Sequence, residues 1–172
     1  MVSNVSFALL DAAVIAGRGE DPVVGRRTHA RLLEEVAALG GALKYLGVDR
    51  GSPVVVDLED DDDAVVAALA VARIGGVLTT VDTPDAPVLV VSAGSALSGE
   101  GRVRLVRGES VTEPDADWEV LLRAGRTDPA ATELLDPDSP YSPDRSVADQ
   151  IELLARTSAP YDASELRGLL GV

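Results

Sequence analysis

Residues 53–94 read PVVVDLEDDDDAVVAALAVARIGGVLTTVDTPDAPVLVVSAG, and this stretch decides the fold class. It holds a β-branched run at 53–58, a nearly all-apolar helical segment at 64–74, and two further apolar runs at 76–82 and 86–94. Short valine-rich runs bounded by proline or glycine are typical of buried strands. The alternation of strand and helix predicts an α/β fold with a parallel pair of strands.

The link between the last two runs is short. Only six residues lie between Val81 and Val88. A parallel crossover needs a dozen or more residues. We therefore expect the strand at 86–94 to pair differently, as in a hairpin.

A helix precedes this stretch. Thr28 is a candidate N-cap for HARLLEEVAALGGALKYLG, in which leucine and valine recur on one face until Gly47 ends the helix. Residues 3–16 predict a second, shorter amphipathic helix capped by Ser3 or Asn4. This segment lacks the basic start of a signal peptide, so we expect a cytoplasmic protein.

Composition excludes several classes of function. The 172 residues carry 29 acidic and 15 basic side chains, for a formal charge of −14, which argues against binding nucleic acid or anionic membranes. The chain has no cysteine and one histidine, so thiolate chemistry and multi-histidine metal sites are excluded. The hydrophobic content of 46% is enough for a sizeable core.

The second half of the chain has weaker patterns. Residues 102–108 alternate like an exposed or edge strand, and 115–124 predict a short helix around Trp118. Residues 127–145 contain four prolines and predict an extended surface segment. Two short helices follow, capped at Ser146 and at Asp162 or Ser164. We recognise no internal repeat.

Residues 24–81 resemble the N-terminal segment of the acyl-CoA synthetases, the AMP-binding or adenylate-forming enzymes. The resemblance rests on GRRTHARLL (25–33), LGVDRGSPVVV (46–56) and ARIGGV (72–77), with weaker pieces at ADWEVLL (116–122) and LLDPDSPY (134–141). It implies the family's N-terminal subdomain and, by extension, ATP-dependent acyl adenylation.

The resemblance stops after Tyr141. There the family has a Ser/Thr/Gly-rich loop followed by Pro-Lys-Gly, whereas this chain reads SPDRSVADQ. Such a loop works because small residues let backbone N–H groups surround the phosphates. The one lysine, Lys44, does not match the family's C-terminal lysine.

Four polar features are candidates for a site. The acids Glu59–Asp63 could hold Mg²⁺ or Ca²⁺, or could simply cap a helix. The loop 92–101, followed by Arg102 and Arg104, could be a degenerate phosphate cradle or a solvated loop. His29 could be a general base or a packing residue, and Asp57 ends a strand where open α/β sheets bind ligands.

We predict an α/β fold: a three-layer, mostly parallel sheet flanked by helices, with residues 1–145 as the domain and 146–172 as a helical tail that packs on it or on a partner. No catalytic residue, metal or cofactor is assigned, and the cofactor-binding residues stay open. The expected function is a catalytically incomplete acyl-CoA-synthetase-like protein that binds a protein partner, a second copy, or a small acyl, nucleotide or CoA ligand. The alternatives are one half of a split acyl-adenylating ligase and a free-standing enzyme of other chemistry.

Overall fold

The computed structural model describes residues 3–109 and 111–172. An N-terminal π-helical turn (Phe7–Asp11) continues into α1 (Ala12–Ile15). The remaining elements, in chain order, are β1 (Pro22–Val24), β2 (Arg27–Thr28), α2 (His29–Tyr45), β3 (Pro53–Asp57), α3 (Asp61–Arg73), β4 (Val77–Thr79), β5 (Val88–Ser92), β6 (Val103–Arg107), β7 (Ala116–Asp117), α4 (Trp118–Gly125), β8 (Pro140–Ser142), β9 (Arg145–Ser146), α5 (Val147–Ala155) and α6 (Ala163–Leu170).

The centre of the molecule is a five-stranded sheet in the order β4–β3–β5–β6–β7, and every neighbouring pair in it is parallel. This confirms the α/β class and the parallel sheet flanked by helices. The valines of β3 and β5 alternate between two apolar clusters, one on each face of the sheet. Runs that are apolar at every position are therefore explained by burial on both faces.

The first face of the sheet carries the helices. α3 packs on β3 and β4, and α2 and α6 pack on α3. All residues of α3 from Ala64 to Arg73 are buried. A helix that is apolar on every side needs such cover, and here both the N-terminal helices and the tail supply it.

The second face of the sheet is covered differently. Its buried cluster holds Val55, Leu89, Val91 and Val106 from the strands and Ala86 from a connecting segment, with Leu97 and Val111 packed against it. No helix residue belongs to this cluster in the described part of the chain. Loops alone therefore shield this side of the sheet.

The predicted hairpin between the strands at 76–82 and 86–94 is wrong. β4 and β5 lie on opposite sides of β3 and both are parallel to it. Thr79 at the end of β4 lies beside Val55, while Val88 at the start of β5 lies beside Val54. Because β5 begins beside Val54, only one position behind the end of β4 beside Val55, residues 80–87 only have to cross β3 and need no return helix.

The tail is held against this domain by polar and apolar contacts. Leu166 and Leu170 of α6 are fully buried in the main cluster. Tyr161 forms a parallel bridge with Val24 at the end of β1. The predicted caps Ser146 and Asp162 are confirmed, since the side chain of each accepts a hydrogen bond from the following helical turn. The domain boundary at residue 145 stays a prediction.

Residues 126–139 have little regular structure, as the prolines predict, but they are not simply a surface segment. Ala130 and Leu135 are buried, and the amides of Ala130 and Glu133 donate to Ala37 and Arg73. Residues 140–146 then form the β8–β9 hairpin rather than continuing in an extended form.

Candidate functional site

The strand order places a topological switch between β3 and β5, because the chain leaves β3 towards β4 and returns on the other side. In open α/β sheets the crevice at the carboxyl ends of such strands is the usual ligand site. Asp57, Glu59 and Ser92 lie at this edge, so it is the first place to look for a site.

Polar groups at this crevice form hydrogen bonds within the chain. Ser95 Oγ donates to the exposed Asp57 carboxylate at 2.5 Å, and the Glu59 amide donates to Ser92 Oγ at 2.9 Å. The predicted ligand position of Asp57 is therefore occupied by a hydroxyl from the chain's own 92–101 loop.

The acidic run at 59–63 caps α3. Asp60 is the N-cap residue, and its carboxylate accepts from the Asp63 amide at 3.0 Å. Acids in the first helical turn also interact favourably with the helix dipole. Among the residues that the structure describes, no group of three or more histidines or acids is arranged to hold a metal ion.

Arginines from three parts of the chain pair with this run, and Arg107 of β6 is the first of them. Arg107 donates to Asp63 at 2.8 Å and to Glu119 at 2.5 Å, and its guanidinium lies 5.9 Å from the centre of the Trp118 ring. Burial disfavours its charge, but the hydrogen bonds and charges of Asp63 and Glu119 hold the pKa of Arg107 above its ordinary value. These carboxylates serve ion pairs within the fold.

Arg167 of α6 fixes the other side of the β3–α3 loop. It donates to the carbonyl oxygens of Leu58 (2.8 Å) and Glu59 (3.2 Å) and to the Asp61 carboxylate (2.8 Å). The tail therefore reaches the carboxyl edge of the sheet. There Arg167 fixes the β3–α3 loop, next to the place where open α/β proteins bind a ligand.

The two arginines next to the 92–101 loop are engaged in ion pairs within the fold. Arg102 is paired with Asp82 at 2.6 Å, and Arg104 with Asp115 at 2.8 Å. Both guanidiniums also donate to carbonyl oxygens of the loop, at Ser98 and Ser95. These cations therefore bind the loop and their acidic partners.

A hairpin occupies the segment that follows Tyr141. The Tyr141 side chain is buried and donates to the Leu170 carbonyl oxygen at 2.8 Å, and its burial raises its pKa above the ordinary value. The segment 142–150 runs through β9 into α5, which begins with a capping box of Ser146 and Asp149. Its backbone is engaged in a turn and a helix start.

This hairpin repeats an earlier unit of the chain. β1 and β2 pair Pro22 with Thr28, and β8 and β9 pair Pro140 with Ser146, with the same irregularity inside each hairpin. In both units the last strand residue is the N-cap of a helix. The expectation of no internal repeat is therefore wrong: PVVGRRTHA and PYSPDRSVA have proline, arginine, Thr or Ser, and alanine at matching positions.

His29 takes a buried position at the first residue of α2, with 4% of its surface exposed. Its Nδ1 lies 3.0 Å from the Asp21 carbonyl oxygen. Neither Asp57 nor any of the acids at 59–63 is hydrogen-bonded to it in the described structure. The candidate residues predicted from the sequence therefore do not form one site: the acids lie at the carboxyl edge of the sheet, and His29 lies elsewhere.

Residues 11–88 match the family of AMP-binding enzymes. Over these residues the chain is similar to that family. An uncharacterized protein of Pseudomonas aeruginosa is 38% identical over 94 residues, covering 49% of this chain and 15% of that protein. The acetyl-coenzyme A synthetase of Xylella fastidiosa is 44% identical over 61 residues, covering 36% of this chain and 9% of the synthetase. The chain thus spans a small part of these relatives.

Solved AMP-binding enzymes share the fold over a longer region. The anthranilate CoA ligase AuaEII superposes with a TM-score of 0.69 at 19% identity, over 82% of this chain and 32% of the ligase. The acetoacetyl-CoA synthetase of Streptomyces lividans gives 0.61 at 25% identity, over 81% of this chain and 27% of that enzyme. The resemblance to the N-terminal part of acyl-CoA synthetases is therefore confirmed. No helix in the described residues is long and apolar enough to cross a bilayer.

Proposed function

We propose that this chain is a catalytically incomplete relative of the AMP-binding enzymes that acts by binding a protein partner or a small acyl, nucleotide or CoA ligand. The observation that carries the proposal is the segment after Tyr141. Where the resemblance leads us to expect a phosphate-binding loop, the chain forms a hairpin and a capped helix whose backbone groups are already used.

The folded-back tail also supports a binding module. Leu154, Leu166 and Leu170 are buried within the chain itself, and Arg167 holds the β3–α3 loop. Lys44 is exposed on α2, in the helix before the first strand of the sheet, where it serves no nucleotide at the sheet's carboxyl edge.

Carboxylate-dependent exchange between ATP and pyrophosphate tests the absence of adenylation. We expect the purified chain to give none with acetate, acetoacetate or anthranilate, with a complete acetyl-CoA synthetase as the positive control. Clear exchange by the pure protein overturns the proposal.

A thermal-shift titration with Mg·ATP, AMP, CoA and acetyl-CoA, run with light scattering for mass, tests the binding part. A ligand that binds only the folded state at one hundred times its Kd stabilises by about 2.7 kcal/mol. A saturable rise in Tm with one of these identifies the ligand class. If none raises Tm and the mass is that of a dimer, the partner is a second copy.

The loop-covered second face of the sheet favours one alternative, a split ligase completed by another chain. Val55, Leu89, Val91 and Val106 are shielded there only by connecting segments, so a second polypeptide could cover this side. In that case, adding a chain that carries the Ser/Thr/Gly-rich loop and the lysine domain restores exchange. The binding-module proposal expects no exchange in the mixture.

A further inference from the structure

A cavity of about 280 Å³ lies between the N-terminal helix and α5. None of the residues that line it belongs to the acidic edge of the sheet. Its apolar walls come from both helical segments: Ala8, Leu9, Ala13, Ile151, Leu154 and Ala155. This volume is just below the usual range for small-molecule sites, so the cavity suits only a compact ligand with an apolar body.

His29 supplies a hydrogen-bond acceptor to this cavity. A carbonyl oxygen can only accept, so the contact from Nδ1 to Asp21 O at 3.0 Å places the hydrogen on Nδ1. In the neutral ring Nε2 then carries a lone pair. Nε2 has no hydrogen-bond partner among the described residues. It is also absent from the fully buried atoms that lack a partner, so Nε2 is accessible. Because His29 lines the cavity, we place this accessible lone pair at its wall.

Two hydroxyl groups of the cavity wall, those of Thr157 and Tyr161, use their hydrogens internally. Thr157 Oγ1 lies 3.0 Å from the Leu154 carbonyl oxygen, which can only accept, so the threonine donates there. Tyr161 Oη lies 3.3 Å from the same Oγ1, and the phenol hydrogen of Tyr161 can then serve this contact. Both hydroxyls therefore present lone pairs rather than hydrogens to a ligand, like His29.

The π-helical turn marks this place as a candidate site, and Arg18 favours an aromatic ligand there. Ala8 and Leu9 belong to the π-helical turn, a rare geometry that is frequent at functional sites. Arg18 is exposed at the cavity and forms no ion pair with the described residues. A guanidinium is attracted to the face of an aromatic ring.

We propose that this cavity binds a small phenol, whose hydroxyl donates to His29 Nε2 while its ring contacts the apolar walls. The ligand supplies a donor to the His29 Nε2 lone pair, and its neutral form avoids repulsion by a chain of charge −14. This inference does not rest on the proposed function. The pyrophosphate-exchange assay measures adenylation, and its result does not depend on whether this cavity binds a phenol.

The sole histidine of the chain makes the proposal directly testable by NMR. A long-range ¹H–¹⁵N spectrum should show the Nδ1–H tautomer in the free protein. Titration with 4-methylphenol should shift the Nε2 resonance saturably. Its methyl ether, 4-methylanisole, has the same ring but no donor and should bind at least tenfold more weakly. Equal binding of the two, or no saturable shift, overturns the proposal.

Substitution of His29 gives a second, independent readout. His29→Asn keeps an amide donor near the position of Nδ1, and so the bond to Asp21, but removes the Nε2 acceptor. It should weaken 4-methylphenol about tenfold and leave the ether unchanged, whereas equal affinity for the phenol contradicts the proposal. If the variant does not fold, the contrast between phenol and ether on the wild-type chain decides. Benzoate is the competing probe, and tighter binding of benzoate would assign the cavity to anions through Arg18.

Discussion

Arg73 and Asp11 form a largely buried ion pair that joins the end of α3 to the N-terminal helix. The guanidinium Nη1 lies 2.9 Å from Asp11 Oδ2, and the two side chains are 8% and 15% exposed. Arg73 Nε also donates to the Ala130 carbonyl oxygen at 2.7 Å. One guanidinium therefore connects the first helix, the central helix and the irregular segment at 126–139.

Asp11→Ala should destabilise the protein by about 3–5 kcal/mol, because it leaves the Arg73 charge buried without its counter-ion. Chemical denaturation measures the loss. Glu152→Ala is the matched control, since its pair with Arg156 is 69% and 68% exposed and such a pair is worth about 0–1 kcal/mol. Equal effects of the two substitutions would contradict the role assigned to the buried pair.

The sequence predicts the elements whose signal is local. The valines of β3 and β5, the apolar α3 and the Thr28 and Ser146 caps are each read from a few adjacent residues, and the structure has them there. The capping function of the acids at 59–63 also follows from their place ahead of an apolar helix.

Features that depend on distant partners could not be predicted. Asn4 was a candidate cap and does accept from the Phe7 amide, but its fully buried amide also donates to the carbonyl oxygens of Ala72, Arg73 and Glu133. The hairpin expected after Val81 failed for the same reason, since the stagger of β4 and β5 along β3 is set by tertiary packing.

The site candidates show the same limit. The sequence marks Asp57 and His29 as polar residues at element ends, but it does not show that Ser95 bonds to Asp57 or that α5 forms a wall beside His29. The repeated hairpin could have been predicted from PVVGRRTHA and PYSPDRSVA, but the prolines of the second unit indicated an extended segment instead.

Gly125→Ala should destabilise the protein by about 1–3 kcal/mol, because an alanine Cβ there would lie 1.9 Å from the Ala38 carbonyl oxygen and force α4 away from α2. Thermal unfolding measures the effect. Gly168→Ala in α6 is the control with the opposite sign: it meets nothing within 4 Å and should stabilise by about 0.5–1 kcal/mol through helix propensity. A stable Gly125→Ala protein would contradict this close helix contact.

Tyr141 should make the fold sensitive to alkali. Burial raises the pKa of its phenol above the ordinary value, so the folded state holds this proton more tightly than the unfolded state. Its contribution is fully present below the ordinary tyrosine pKa of about 10 and is lost as pH rises from there towards the raised value. Tm against pH, followed with tyrosinate absorbance, measures this loss.

Tyr141→Phe removes the titrating group together with its hydrogen bond to Leu170. It should cost about 1 kcal/mol at neutral pH and flatten the alkaline decline attributable to this residue. Tyr45→Phe is the control, because Tyr45 is 82% exposed and should change neither quantity. An alkaline decline of equal depth in all three proteins would assign it to other groups.

The two hairpin-and-helix units should differ in their response to acid. Thr28→Ala and Ser146→Ala each remove an N-cap and should each cost about 1 kcal/mol at neutral pH. Only the second unit has a carboxylate in its cap. Hydrogen bonds from the Ser146 hydroxyl and amide lower the pKa of Asp149, whereas the matching position of the first unit is Arg31.

A lowered pKa means that the stabilisation from Asp149 is present above the ordinary aspartate pKa and is lost as pH falls through the lowered value. Denaturation as a function of pH should therefore show the effect of Ser146→Ala shrinking in acid, while that of Thr28→Ala stays constant. Asp149→Asn should remove the acid dependence from the second unit and leave the first unchanged. If both alanine variants respond to acid alike, the carboxylate does not contribute to the cap, and the two units are equivalent in energy as well as in register.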